Sequence, residues 1–90
     1  MTLFPLGQTV ATPGALRELE QIDISPASLL DRHGRGDWGD VDREDWQANE
    51  RAMMENDRIL SVYRLTDDVK VFVITEADRS STTILLSEEY

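Results

Sequence analysis

RILSVYRLTDDVKVFVITEADRSSTTILLSEEY, residues 58–90, is the stretch that decides the fold. Its three apolar segments, RILSVYRL, VKVFVIT and TTILLSEEY, are rich in β-branched and aromatic residues, as strands are. Thr66, Asp67 and Asp68 mark a turn between the first two segments, and polar residues separate the second from the third. We therefore expect an antiparallel meander of three strands.

Both faces of the middle strand are largely apolar, because alternate residues of a strand point to opposite faces. One face carries Val69, Val71 and Val73, and the other carries Lys70, Phe72 and Ile74. We expect helices to cover one face, and the other face to be partly buried or to form a contact surface.

Two short helices are predicted before this sheet. Thr12 is a helix N-cap followed by Pro13 at the first helical position, and Ser25 and Pro26 repeat the pattern. The first helix should cover residues 13–20, and Gly34 should end the second. The residues expected to point inward are Ala15, Leu16, Leu19, Leu29 and Leu30.

A third, longer helix is predicted over residues 42–55, with acids in its first turn, where the helix dipole favours them. Its inward residues, spaced three to four apart, would be Trp46, Ala48, Asn49, Ala52 and Met53. Residues 6–11 could add a fourth strand. The expectation is a single α+β domain, residues 1–90, with two or three N-terminal helices packed on a three- to four-stranded antiparallel sheet.

Composition restricts the classes of function. The 90 residues carry 9 basic and 18 acidic side chains, a net charge of −9, which disfavours direct nucleic-acid binding and favours a protein partner with a basic surface. The absence of cysteine excludes disulfides and thiolate metal sites. No membrane segment or targeting signal is recognisable. We expect a cytoplasmic protein without cofactor or metal.

The stretch DRHGRGDWGD, residues 31–40, contains the only histidine of the chain. His33 is interpreted as a hydrogen-bonded, partly buried side chain, with a general acid–base role or a recognition contact as alternatives. Gly36, Trp38 and Gly39 have the character of structural residues, and the Arg-Gly-Asp match is attributed to chance. Asp37 or Asp40 would cap the long helix or accept a hydrogen bond from His33.

Asn49 is the polar exception among the inward residues of the third helix. A buried amide needs partners, so it should hold either the 31–40 loop or a strand end by hydrogen bonds. The alternative is a pocket shared by His33, Trp38 and Asn49.

The segment ITEADRSSTT, residues 74–83, is interpreted as a solvated hairpin loop in which Asp78 and Arg79 organise the turn. An arginine beside hydroxyls would also suit phosphate binding.

The sequence also contains an acidic segment that is a candidate interface. Residues 37–57 contain eight acids against Arg43 and Arg51. Such a run is a solvated helix face or an imitation of the phosphate charges of nucleic acid. The residues of this acidic surface are Asp37, Asp40, Asp42, Glu44, Asp45, Glu50 and Glu55.

Together, GQTVATPGAL, RHGRGDWGD, the helical asparagine and VITEADRSSTTILLSEEY resemble a family of small proteins carried by bacterial plasmids, phages and integrated elements. The resemblance covers nearly the whole chain. Small acidic proteins of such elements often inhibit host defences, as anti-CRISPR and anti-restriction proteins do. The resemblance therefore implies an inhibitor that binds a nucleic-acid-targeting defence complex through the acidic surface.

A histidine followed by Gly-Asp-Trp, a helix and a small antiparallel sheet is also similar to the barnase, colicin and RelE-like ribonucleases. That resemblance implies metal-independent RNA cleavage, with His33 as general base, Arg79 as phosphate clamp and Thr82 or Thr83 in support. A third hypothesis is a self-associating module, a homodimer, which rests on the spare apolar face and exposed edges of a short sheet.

Overall fold

The protein is a four-stranded sheet with two helices packed on one of its faces and a third helix beside one edge. The computed structural model describes residues 2–90. In chain order the elements are β1 (Gln8–Ala11), α1 (Pro13–Gln21), α2 (Pro26–Gly34), α3 (Arg43–Glu55), β2 (Ile59–Arg64), β3 (Lys70–Thr75), β4 (Ser81–Leu86) and a 3₁₀ turn (Ser87–Glu89). The α+β prediction is therefore confirmed.

The strand order is β1-β4-β3-β2. The predicted meander is confirmed, since β2 pairs antiparallel with β3 and β3 antiparallel with β4. The expectation of an all-antiparallel sheet is wrong, because β1 lies parallel to β4. β1 and β2 consequently run in the same direction at opposite edges. Parallel strands of one sheet need a crossover connection, and here the three helices supply it.

Side-chain caps start all three helices. Thr12 accepts the N–H of Ala15 at 3.1 Å, and Ser25 accepts the N–H of Ala27 at 3.1 Å. These contacts confirm the predicted caps of α1 and α2. α3 is capped by Asp42, whose Oδ1 accepts the N–H of Asp45 at 2.8 Å.

The core consists of two adjoining clusters on the helix-covered face. The first joins α1 and α2 to the sheet through Ala15, Leu19, Leu29, Tyr63, Val69, Val71, Val73 and Ile84. The second joins the N-terminal segment, the loop before α3 and α3 itself through Phe4, Trp38, Ala52 and Ile59. Trp38 is fully buried there, as its predicted packing role requires.

Three side chains expected to point inward are exposed instead: Leu16, Trp46 and Ala48. α3 lies beside the β2 edge and directs only Asn49 and Ala52 fully into the protein. α1 likewise buries Ala15 and Leu19. α1 and α3 therefore have narrower buried faces than their apolar spacing predicts.

The opposite face of the sheet is partly buried, as expected. The ring of Tyr90 packs edge-on against Phe72, with centroids 5.4 Å apart, and Ile74 is almost fully buried. The guanidinium of Arg58 also lies over the Tyr90 ring, 5.6 Å from its centroid.

Candidate functional site

Residues 37–40 and Asn49 lie along the outer edge of β2. The N–H of Val62 donates to the carbonyl of Trp38 at 3.0 Å, and the N–H of Asp40 donates to the carbonyl of Val62 at 2.6 Å. The amide of Asn49 binds both backbone groups of Leu60, donating to its carbonyl at 2.7 Å and accepting its N–H at 3.0 Å. Asn49 therefore holds a strand, which is one of its two predicted structural roles.

Asp37 and Asp40 have roles different from those predicted. Neither caps α3, and neither accepts a hydrogen bond from His33. Asp40 Oδ2 accepts the N–H of Arg64 at 2.7 Å, which extends the cover of the β2 edge. Asp37 forms an ion pair of 2.7 Å with Arg32, and this hydrogen bond holds the pKa of the Asp37 carboxyl below its ordinary value. Asp42 provides the cap because it directly precedes the helix.

His33 is fully buried and bonded at both ring nitrogens. Nδ1 lies 2.6 Å from Ser61 Oγ, and Nε2 lies 2.8 Å from Thr75 Oγ1. Thr75 Oγ1 is 2.7 Å from Thr82 Oγ1, and the Thr82 hydroxyl donates to the carbonyl of Leu6 at 2.7 Å. A continuous chain of hydrogen bonds thus crosses the sheet beneath its helices.

The direction of this chain is fixed by its last member. The Leu6 carbonyl can only accept, so the Thr82 hydroxyl donates to it and accepts from Thr75. Thr75 in turn accepts from Nε2–H of His33. Burial lowers the pKa of His33 to about 4, so at pH 7 the ring is neutral and its one proton is on Nε2. Nδ1 then accepts the hydroxyl proton of Ser61.

The structure separates the members of the predicted pocket. His33 and Trp38 are neighbours, with ring centroids 5.8 Å apart, and Trp38 Nε1 donates to Glu50 Oε2 at 2.9 Å. Asn49 binds the edge of β2, whereas His33 binds side chains of β2 and β3 on the inner face of the sheet. All three are buried, and no buried side-chain polar atom in residues 2–90 lacks a partner. These residues fill their own hydrogen-bonding capacity and form no open pocket.

The residues of the ribonuclease hypothesis do not converge on an open site. His33 and Thr82 are fully buried, and Thr83 points to the opposite face of the sheet. The Arg79 guanidinium is committed to backbone carbonyls, at 2.8 Å from that of Ala52 and 2.7 Å from that of Asp57. Arg79 therefore links the end of α3 to the β3–β4 turn, in keeping with its predicted role as a turn organiser.

All seven residues of the acidic surface are exposed. Four have structural partners: Asp37 with Arg32, Asp40 with the Arg64 N–H, Asp42 with the Asp45 N–H and Glu50 with the Trp38 indole. The side chains of Glu44, Asp45 and Glu55 have neither an ion pair nor a hydrogen bond within residues 2–90. These three carboxylates are available to a partner.

Trp46 belongs to this surface, although the sequence pattern placed it in the core. Its side chain remains 40% exposed, and its ring packs edge-on against Trp38 with centroids 6.5 Å apart. On α3 it is four residues from both Asp42 and Glu50, so these acids share its side of the helix. That spacing was a readable signal, because charged residues normally lie on the side of a helix that faces away from the core.

Ser61 and Thr75, the partners of His33, were also missed. Both occupy inward positions of strands whose inward neighbours are apolar, so their hydroxyls needed buried partners.

No group of three His, Asp or Glu side chains among the described residues is arranged to hold a metal ion. The helices found between residues 2 and 90 are too short and polar to cross a bilayer. No protein-family model, curated protein or solved structure matches this chain.

Proposed function

We propose that this protein acts by binding a protein partner with a basic surface, and that the acidic surface on and before α3 is where the partner docks. The observation that carries the proposal is the exposure of Trp46, 40% accessible between carboxylates. Tryptophan is strongly enriched among the residues that dominate binding energy at interfaces.

The chemistry around Trp46 suits an arginine or lysine of the partner. An indole face attracts cations, and Asp42 and Glu50 stand one helical turn to either side of it. Trp46 rests on buried Trp38, so the ring is held in place before binding. Little side-chain entropy is then lost when a partner covers it.

The class of partner favoured by these features is a nucleic-acid-targeting defence complex. Such complexes hold nucleic acid in basic channels, and a net charge of −9 steers the protein towards them. The resemblance to proteins of plasmids and phages supports an inhibitory role, in which the acidic surface takes the place of nucleic acid.

The proposal is tested with a panel of purified RNA-guided nucleases and restriction enzymes, measuring DNA binding and cleavage with and without the protein. We expect inhibition of at least one, lost in the triple variant Glu44→Lys, Asp45→Lys, Glu55→Lys. This variant keeps every carboxylate that has a structural partner, so it should fold.

A matched control carries three reversals elsewhere: Glu20→Lys, Asp67→Lys and Asp68→Lys, all at exposed positions. Both triple variants change the net charge from −9 to −3. Equal loss of inhibition in both would mean that overall charge, and not the acidic surface, is responsible.

The role of Trp46 is tested separately. Trp46→Ala should weaken binding at least tenfold, whereas Met54→Ala, on the same helix and 86% exposed, should leave it unchanged. Binding should also weaken as salt rises. RNA cleavage that disappears in an Arg79→Ala variant that still folds, but persists in Trp46→Ala, would favour the ribonuclease alternative instead.

A further inference from the structure

The β1 edge of the sheet is open. Gln8 donates its N–H to the Ser80 carbonyl at 3.0 Å, and Thr12 donates its N–H to the Ile84 carbonyl at 3.0 Å. Alternate residues of a strand direct their backbone groups to opposite sides, so Thr9 and Ala11 direct theirs away from β4. Within residues 2–90 nothing bonds to these two N–H and two C=O groups. They are a template for another strand.

This edge also lacks two of the features that keep exposed strands apart, namely charge and proline. Residues 2–16 contain no charged side chain, in a chain of which 30% is charged. β1 itself, Gln-Thr-Val-Ala, has neither a charge nor a proline. Natural sheets usually protect an open edge with such residues.

The surroundings of β1 are apolar. Val10 is 43% exposed and Leu16 is 45% exposed. Between β1 and the helices an apolar pocket of about 190 Å³ opens, lined in part by Leu16, Pro26 and Leu30. A strand added to β1 would cover this pocket together with the exposed parts of Val10 and Leu16.

We propose that β1 pairs antiparallel with β1 of a second copy of this chain, joining two four-stranded sheets into one. The net charge of the protein favours a second copy of the chain as the partner at β1. In a two-fold interface the same patch meets itself, so a protein of net charge −9 associates with its own copy best through an uncharged surface. A basic partner would not be attracted electrostatically to the uncharged β1 edge. It would be attracted to the acidic surface instead.

The backbone groups fix the register of the pair. When Val10 faces Val10 of the second copy, Thr9 of each chain lies opposite Ala11 of the other. Each Thr9–Ala11 pair exchanges two N–H···O=C bonds, so all four outward groups of both strands are bonded. A register shifted to either side leaves some of them without a partner.

The dimer leaves the acidic surface free, because β1 and β2 are at opposite edges of the sheet. It is therefore independent of the proposed function. Since β1 has only four residues, the interface is small, and small interfaces form transient complexes. We expect an association that depends on concentration.

Analytical ultracentrifugation of the full chain up to about 1 mM tests association. We expect a reversible monomer–dimer equilibrium, weakened at least tenfold by Thr9→Pro. Proline removes an N–H that the monomer does not use, and edge strands tolerate proline at such a position. Thr9→Ala keeps the N–H and should dimerise like the wild type. A chain that stays monomeric throughout, or a folded Thr9→Pro variant that dimerises normally, overturns the proposal.

Cross-linking tests the register without relying on proline. The chain has no cysteine, so Val10→Cys introduces a single thiol close to the two-fold axis. In a non-hydrogen-bonded pair, facing Cβ atoms are about 4.5 Å apart, close enough for a disulfide. Mild oxidation should convert Val10→Cys to a covalent dimer much faster than Met54→Cys, the exposed control on α3. Equal rates contradict this pairing.

Discussion

The two edges of the sheet are treated in opposite ways. At the β2 edge, the outward backbone groups of Leu60 and Val62 are all bonded, by Asn49 and by residues 38–40. At the β1 edge, the outward groups of Thr9 and Ala11 have no such partner. An edge strand is closed here by side chains and a loop from elsewhere in the chain, and not by properties of the strand itself.

This difference explains which residues attract attention in the sequence. The conspicuous polar and glycine residues, His33, Gly39, Asp40 and Asn49, are the ones that close or support β2. The open edge is formed by an inconspicuous segment, Gln8–Ala11, which has no chemical group of note. Unusual residue types thus mark a covered edge, and the absence of charge marks the open one.

The largest effect is expected when the loop that covers the β2 edge is displaced by a substitution at Gly39. Its φ is +76°, and an added Cβ would collide with the Val62 carbonyl oxygen and the Tyr63 ring. We expect Gly39→Ala to lower the free energy of unfolding by about 4 kcal/mol, through backbone strain and overpacking. Urea denaturation measures this.

Gly36→Ala is the matched control, because Gly36 also has a positive φ, but its Cβ would closely approach only the flexible side chain of Leu3 and make an ordinary contact with the Trp38 ring. It should cost about 1 kcal/mol, from strain alone. Similar losses of unfolding free energy in the two variants would show that contact with β2 does not restrict position 39.

Acid should lower the free energy of unfolding, because His33 lies buried on the helix-covered face of the sheet. Its pKa is about 4 in the folded protein, against an ordinary value of 6.5 in the unfolded chain. Above pH 6.5 neither state is protonated, so His33 contributes its full stabilisation. Between pH 6.5 and 4 only the unfolded state takes up the proton, and the free energy of unfolding should fall by about 3 kcal/mol.

Urea denaturation at a series of pH values measures this slope. His33 is the only histidine, so His33→Gln should remove the slope between pH 6.5 and 5, above the range in which most carboxylates titrate. An unchanged slope in the variant would assign the pH dependence to other groups.

Asn49→Ala should have a smaller effect, about 2 kcal/mol, because it removes two hydrogen bonds to Leu60. The same replacement at exposed Gln47 also introduces alanine into α3 but breaks no such bond, so the free energy of unfolding should change by less than about 0.5 kcal/mol. Amide exchange should also rise at Leu60 in Asn49→Ala alone. Protection of that amide in the variant would contradict a direct role for Asn49.

Much of the fold could be predicted because its signals are local. The Thr12–Pro13 and Ser25–Pro26 pairs are local helix-start signals and both begin a helix here, and residues 58–90 contain adjacent strands that pair with their neighbours. The direction of β1 could not be predicted, since it depends on how three helices cross the sheet. Local patterns do not specify that path.

The candidate site was less predictable, because apolar spacing does not show how much of a helix is covered. α3 lies at an edge, so Trp46 stays exposed while Asn49 is buried. His33 follows Leu29 and Leu30 by four and three residues, on the same side of α2, and it is fully buried where partial burial was expected. Its partners Ser61 and Thr75 are distant in sequence and are brought to it only by the complete sheet.

The parallel pairing of β1 with β4 has a consequence for synthesis of the chain. Residues 8–11 have no strand to join until residues 81–84 have been made and have left the ribosome. Bringing together segments so far apart in sequence has a large entropic cost of loop closure, so this pairing is expected late in folding. On a nascent chain β1 has no strand on either side, and the uncharged N-terminal segment is then most open to unwanted association or to a chaperone.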